Sequence, residues 1–241
     1  RLGINEAIMS TLNLFSIPIE IKHLDSDLVN EIDQEVKACL EINDKYWSSE
    51  GQIGRGSDFM AYDDPKTLGS GITHSGSNLD VKMNWDLFSS YDFSTLEYVI
   101  KNEYLEYINI HTHLLTDVVW SSIDKTSIKL ESWLLKNDSD ASGLLAHQHE
   151  NRFLNCVYYH EMPDLKGQDG GELVLYSTNP LLSFYTFNSQ QKEFINVSKG
   201  TLIVFPSFLV HAVNSLPRSV QSKRISISTI LSFNEIRKLY D

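Results

Sequence analysis

Apolar and polar residues alternate between Asn13 and Lys22, with Ile17, Ile19 and Ile21 on one face. That period predicts a strand over 13–22, which Pro18 keeps near a sheet edge. The period then changes. Leu28, Ile32, Val36 and Leu40 recur every fourth position, so 26–41 reads as a helix that Ser26 or Asp27 can cap. Residues 48–86 lose both periods and are rich in Gly, Ser, Asp and Asn. They read as a long irregular segment, either a lid or binding loop or plain surface covering. A second helix is predicted over 94–119. Leu96, Ile100, Tyr104, Tyr107, His111, Leu114 and Val118 trace its stripe, and Ser94 with Glu97 is spaced as a capping box.

Beyond residue 125 the pattern shortens. β-type runs occur at 127–135, 153–160, 172–176, 183–187, 194–197, 201–205 and 224–232, most of them separated by Gly, Pro, Asn or Asp. Many short strands with turn signals indicate a sandwich or jelly roll. The fold class expected is therefore mainly β with packed helices (α+β), the N-terminal helices supporting one sheet. Residues 1–241 are read as a single domain, with helical support and loop over 1–125 and the β core over 126–241.

Composition narrows the partners. The 241 residues carry 20 Lys+Arg against 32 Asp+Glu, a formal net charge of −12, which repels phosphate backbones and argues against broad nucleic-acid binding. Hydrophobic residues make up 41% and aromatic ones 11%, enough for a sizeable core. Cys39 and Cys156 are the only cysteines. They form no disulfide framework and no CxxC, which fits a reducing cytosol. No apolar run approaches the roughly 20 residues of a membrane helix, and Arg1 to Ser10 lacks the apolar stretch of a signal peptide. A cytoplasmic location is expected.

Three groups of residues carry chemistry. In Ala146-His147-Gln148-His149-Glu150, an extended backbone turns His147 and His149 to one face, where two imidazoles can share a divalent ion. His111-Thr112-His113 has the same spelling on a predicted helix, where positions two apart diverge by about 200°, so that pair reads as structural. The second group runs from Gly200 through Phe205 and Pro206 to His211. A turn glycine opens an apolar strand, a proline closes it, and a histidine begins the next strand. By itself that histidine could be an ordinary core residue. The third group lies in the run from Lys223 to Leu231, where Arg224, Ser226 and Ser228 share one face and Ile225, Ile227 and Leu231 the other. A guanidinium buried on a sheet face needs a partner, and a carboxylate accepting two of its N–H groups suits it. Exposed to water, it would need none. Among the other residues, Trp133 reads as a core or rim aromatic, Cys156 as a buried strand residue, and His160, at a strand end, as solvent-exposed.

In this order, an HxH, a hairpin with Gly170-Gly171, the Phe205-Pro206…His211 motif and Arg224-x-Ser226, the chain resembles the 2-oxoglutarate- and iron(II)-dependent oxygenases of the double-stranded β-helix (jelly-roll) fold. The run Arg152 to Tyr159 followed by Gly170 to Leu173 resembles the prolyl-hydroxylase branch. The strand Leu14 to Ile19, Glu131-Ser132-Trp133, the Tyr158-Tyr159 strand and the Arg224 to Ser228 strand are similar to a family of 2-oxoglutarate–iron oxygenases common in marine bacteria and their phages. The resemblance spans nearly the whole chain and is sharpest over 127–232. It implies a single oxygenase domain in a bacterial or phage-infected cell. That domain would use Fe(II), 2-oxoglutarate and O2 and couple oxidative decarboxylation to succinate with hydroxylation of a substrate, such as a protein or peptide side chain. It also implies that His211 is the distal metal ligand and that Arg224, helped by Ser226, holds the far carboxylate of 2-oxoglutarate. Tyr159 and Asn155 would contact that co-substrate from one strand face.

One departure stands out. The usual site of this superfamily is two imidazoles and a carboxylate, His-x-Asp…His. Here His149 occupies the Asp position if His147 is the first ligand. Glu150 could supply the carboxylate instead, or His149 could be the first ligand with Asn151 in the Asp position. The expected set is His147, His149 and His211. Two other functions remain open at this point. A cupin also brings an HxH and a distal histidine together on a jelly roll, with a three-histidine iron that does not use 2-oxoglutarate. A non-catalytic jelly-roll module would bind no metal.

Overall fold

The computed structural model describes residues 10–14, 17–50, 72–74, 87–111, 128–138, 143–149, 152–165, 169–177, 192–217, 223–232 and 234–235. Strands β1 (Ser10–Leu14) and β2 (Ile17–His23) form an antiparallel pair with Asn13 opposite Pro18. The single strand expected over 13–22 is thus the end of one strand and most of the next. Pro18 sits inside β2, but β9 (Thr201–Pro206) pairs only with Glu20–His23. The missing N–H of the proline therefore falls where, among the described residues, no strand pairs with β2 on that flank. Pro18 O instead accepts a hydrogen bond from Tyr107 Oη at 2.8 Å.

Helix α1 (Ser26–Glu50) starts where the four-residue period begins and runs past the expected end at 41. Its cap is Asp25, whose Oδ1 accepts from the backbone N of Asp27 at 3.1 Å and of Leu28 at 2.9 Å. After β3 (Ile72–His74) and the short α2 (Leu87–Ser90), helix α3 (Ser94–His111) carries the second stripe. The expected continuation to 119, most of the irregular 48–86 segment with its lid reading, and the strand at 183–187 lie outside the described residues.

The β-rich part contains β4 (Glu131–Asp138), β5 (Leu144–His147), β6 (Arg152–Glu161), β7 (Leu173–Tyr176), β8 (Lys192–Ile195), β9, β10 (His211–Val213) and β11 (Lys223–Ser232). They build a seven-stranded sheet in the order β1-β2-β9-β6-β11-β4-β3 and a four-stranded sheet in the order β5-β10-β7-β8, with every pairing antiparallel.

Alternation divides the large sheet into two faces. Leu154, Cys156 and Tyr158 of β6, Leu202 and Val204 of β9, and Ile225, Ile227 and Leu231 of β11 pack with Ile32, Val36 and Cys39 of α1 and Leu96, Ile100 and Tyr104 of α3. On the opposite face, Ile19, Tyr159, Ile203 and Phe205 meet Leu173, Leu175 and Ile195 of the small sheet. The helices therefore cover the outside of the large sheet, and its inside faces the small one, as the sequence pattern predicts. Tyr104 ties the helix layer down through Oη, 2.7 Å from Thr229 O. Cys39 and Cys156 are both buried free thiols, in keeping with Cys156 as a strand residue of the core. Among the described residues no helix is long and apolar enough to cross a membrane.

Candidate metal centre and its anion-facing wall

Strands β5 and β10 place two histidines opposite each other: His211 is in register with His147. The third imidazole, His149, lies two residues past the end of β5. Its backbone N donates to Ser207 O at 3.0 Å, and that bond brings it beside the other two. The ring centroids are 4.3 Å apart for His147–His211, 5.1 Å for His147–His149 and 5.2 Å for His149–His211. One ligand atom from each of the three rings lies within 4.8 Å of the others. No other group of three or more His, Cys, Asp or Glu among the described residues comes together in this way. Glu150 and Asn151, the alternative ligands, lie outside the described residues.

The protonation states suit coordination. Burial pushes His211 down to about 3, helped by the neighbouring His147. Burial, with His147 and Arg152 adding repulsion, lowers His149 to about 4. Both are neutral at pH 7 and keep a lone pair to donate. His211 Nδ1 donates to Leu209 O at 2.9 Å, which fixes the tautomer and leaves Nε2 as the ligating atom. Phe205 packs edge-on against His211 at 5.1 Å, and Trp133 lies 5.9 Å from His149. Trp133, Leu135 and Ile230, with Leu144 against them, form an apolar cluster on this side. The donor set, three imidazole nitrogens in a partly dry site, fits a divalent transition ion.

Arg224 occupies the inner face of β11, 2% exposed, with Ser226 beside it at 1%. Its Nη1 donates to Gly171 O at 3.1 Å, so the guanidinium reaches across to the segment that enters β7, the strand paired with β10. Gly171 is held at φ 71°, and a Cβ there would sit 2.8 Å from Leu216 Cδ2. A side chain at this position would be strained and would disturb the carbonyl that Arg224 uses. Desolvation lowers the Arg224 pKa, with Tyr159 opposing. A buried cation of this kind is stabilised by an anion, which fits a carboxylate ligand. Tyr159 faces the same side, in register with Ser226. Burial pushes its phenol up to about 12 against the pull of Arg224, so it remains a hydrogen-bond donor. Asn155 shares this face, 3% exposed, and its Oδ1 accepts from Ser207 Oγ at 2.8 Å.

Two residues differ from their sequence reading or escaped it. His160 is 4% exposed rather than solvated. It lies in the helix–sheet layer with Nδ1 3.7 Å from Asp33 of α1, because α1 covers the strand end where it sits. Ser207 was not singled out. The Phe-Pro motif marked its turn, but nothing local marks its hydroxyl. His111, read as structural, pairs with Glu20 of β2.

Residues 131–230 match the family described as "Putative 2OG-Fe(II) oxygenase". The resemblance to 2-oxoglutarate- and iron(II)-dependent oxygenases is borne out over this stretch, which holds all three histidines and Arg224. That family's description names Fe(II) and 2-oxoglutarate. A prolyl-4-hydroxylase from Pseudomonas putida shares the fold at 15% identity, with a TM-score of 0.50, over 91% of this chain and 95% of its own. A prolyl hydroxylase solved with a hypoxia inducible factor peptide fragment from Trichoplax adhaerens gives a TM-score of 0.48 at 15% identity, over 98% of this chain and 89% of that one. AviO1 from Streptomyces viridochromogenes Tue57 gives 0.49 at 14% identity, over 90% of each chain. No curated protein matches the sequence.

Proposed function

We propose that the protein is an Fe(II)- and 2-oxoglutarate-dependent dioxygenase, a single oxygenase domain that couples oxidative decarboxylation of 2-oxoglutarate to succinate with hydroxylation of a protein or peptide side chain. The observation that carries this reading is the convergence of three imidazoles at the β5–β10 end of the small sheet, together with a buried guanidinium on the inner face of the large sheet. His147, His149 and His211 would hold the iron. Arg224 would receive the far carboxylate of 2-oxoglutarate, with the Ser226 hydroxyl and the Tyr159 phenol as further donors and Asn155 lining the same face.

When bound, the iron would supply activation of dioxygen. The chain's own contribution is position and environment. Arg224 fixes the diacid by its charge and planar donor pair, so the opposite end is oriented toward the histidines before reaction. Trp133, Leu135, Ile230 and Phe205 keep the surroundings apolar. Because imidazole ligands carry no negative charge, the three histidines would offset none of the metal's charge, whereas the usual carboxylate would offset one unit. For the acceptor, Phe208 offers an aromatic surface 55% exposed, adjoining the Ser207 turn, and the net charge of −12 favours a basic partner.

The test is product formation. With Fe(II), 2-oxoglutarate and air, the protein should release succinate, and His211→Ala should release none. Dioxygen uptake that proceeds without 2-oxoglutarate would instead identify the three-histidine cupin chemistry.

A further inference from the structure

We infer that Ser207 is a positioning residue that sets the second and third histidines relative to each other, and that Asn155 acts through it. The inference rests on the reading of His147, His149 and His211 as metal ligands. Ser207 is fully buried, at 0% exposure, and each of its polar groups is used. Its backbone N donates to Phe153 O of β6 at 3.0 Å, and its carbonyl accepts from His149 N at 3.0 Å. Its hydroxyl donates to Asn155 Oδ1 at 2.8 Å. One residue thus joins β6, the segment that leaves β5 and the turn between β9 and β10.

That junction matters because strand pairing does not reach His149. The β5–β10 register ends at His147 opposite His211. The hydrogen bond to Ser207 O holds the His149 backbone beyond that point. The same turn sets His211: Leu209 N donates to Pro206 O at 3.1 Å, and Leu209 O accepts from His211 Nδ1 at 2.9 Å. A shift of the turn would therefore move two imidazoles at once, one through Ser207 O and the other through Leu209 O. The hydroxyl of Ser207 pins the turn to β6, a central strand of the large sheet. Both Ser207 and Asn155 are buried, so losing either partner leaves the other's polar group away from bulk water without this bond.

Titration of the full chain with Co(II), followed by its visible ligand-field absorption, separates a positioning role from a merely structural one. Tyr104→Phe serves as comparison, because it deletes a buried hydroxyl bonded to Thr229 in the helix layer. Ser207→Ala and Asn155→Ala should each weaken Co(II) binding by about tenfold or more and alter the absorption envelope. The double variant should be little worse than Ser207→Ala alone, since the two residues act through one bond. Tyr104→Phe should bind Co(II) as the wild type does. Wild-type affinity and spectrum in Ser207→Ala, or equal weakening in Tyr104→Phe, would overturn the inference. If Ser207→Ala does not fold, wild-type behaviour of Asn155→Ala overturns it. A wild-type protein that binds no Co(II) would defeat the metal-centre reading itself, a result distinct from the failure of the positioning role.

Discussion

Arg224 combines full charge with near-complete burial, an arrangement suited to receiving a counter-charge. If that counter-charge is the co-substrate, Arg224→Met separates binding from folding. The variant should lose affinity for 2-oxoglutarate by about a hundredfold, since a charge-assisted, two-point contact contributes about 3 kcal/mol. Its thermal midpoint without ligand should show only the loss of the bond to Gly171 O, about 1–3 kcal/mol. Isothermal calorimetry beside a thermal melt measures both, and unchanged 2-oxoglutarate affinity would contradict the role. At this scale the sequence was informative about residue identity and less so about cause. Period-two alternation correctly put Arg224 and Ser226 on one face and Ile225 and Ile227 on the other. The same argument turned His147 and His149 to one face, while strand pairing ends at His147 and a hydrogen bond to a distant turn holds His149 in place.

Between elements, the joint of α1 and α3 shows what a local window misses. Ser94 and Glu97 have capping-box spacing, yet the Glu97 carboxylate pairs with Lys101 at 2.8 Å. The α3 N-terminus is capped by Glu35 of α1, whose carboxylate accepts from Thr95 N at 2.7 Å and Leu96 N at 3.2 Å. A carboxylate here satisfies two orphan N–H groups and meets the positive end of the helix dipole. Glu35→Ala should therefore cost about 1–2 kcal/mol, a drop of roughly 2–8 °C in melting temperature for a chain of this size, and Glu97→Ala clearly less. Equal effects of the two substitutions in thermal melts would restore the local box. No sequence pattern could reveal this cap, since its donor groups and its acceptor belong to different helices. The hairpin β1–β2 was missed for a related reason: apolar alternation continues through both strands and hides the reversal. The core strand β9 was legible because burial on both faces leaves an apolar run bounded by turn residues, and β11 because its apolar and polar positions alternate.

Across the whole molecule, buried neutral histidines link the two layers to pH. Burial lowers His160 to about 4 in the helix–sheet layer, despite the ionised Asp33 beside it. His149 and His211 are lowered to about 4 and 3 between the sheets. Asp33 is held at about 2: burial alone would raise it, but hydrogen bonds from Lys199 and Lys37 outweigh that. An unfolded histidine binds its proton near pH 6.5. Below that value the unfolded chain therefore takes up protons that the folded one refuses, and stability falls with pH. The metal-free protein should be most stable above pH 6.5 and lose stability progressively as pH drops through 4. Divalent metal should raise stability across this range without lessening the slope, because metal-bound His149 and His211 still take up no proton while their unfolded counterparts do. Urea midpoints from pH 7 to 4, with and without Co(II), check this, and a flat profile would contradict it.

The central claim, that one ion and one diacid meet between these sheets, is tested most directly by anaerobic titration of the protein with Fe(II) and 2-oxoglutarate together. The account predicts a visible charge-transfer absorption that needs both additions, saturates at one of each per chain and disappears in His211→Ala. No such band in the wild type, or one that survives loss of His211 undiminished, would contradict it.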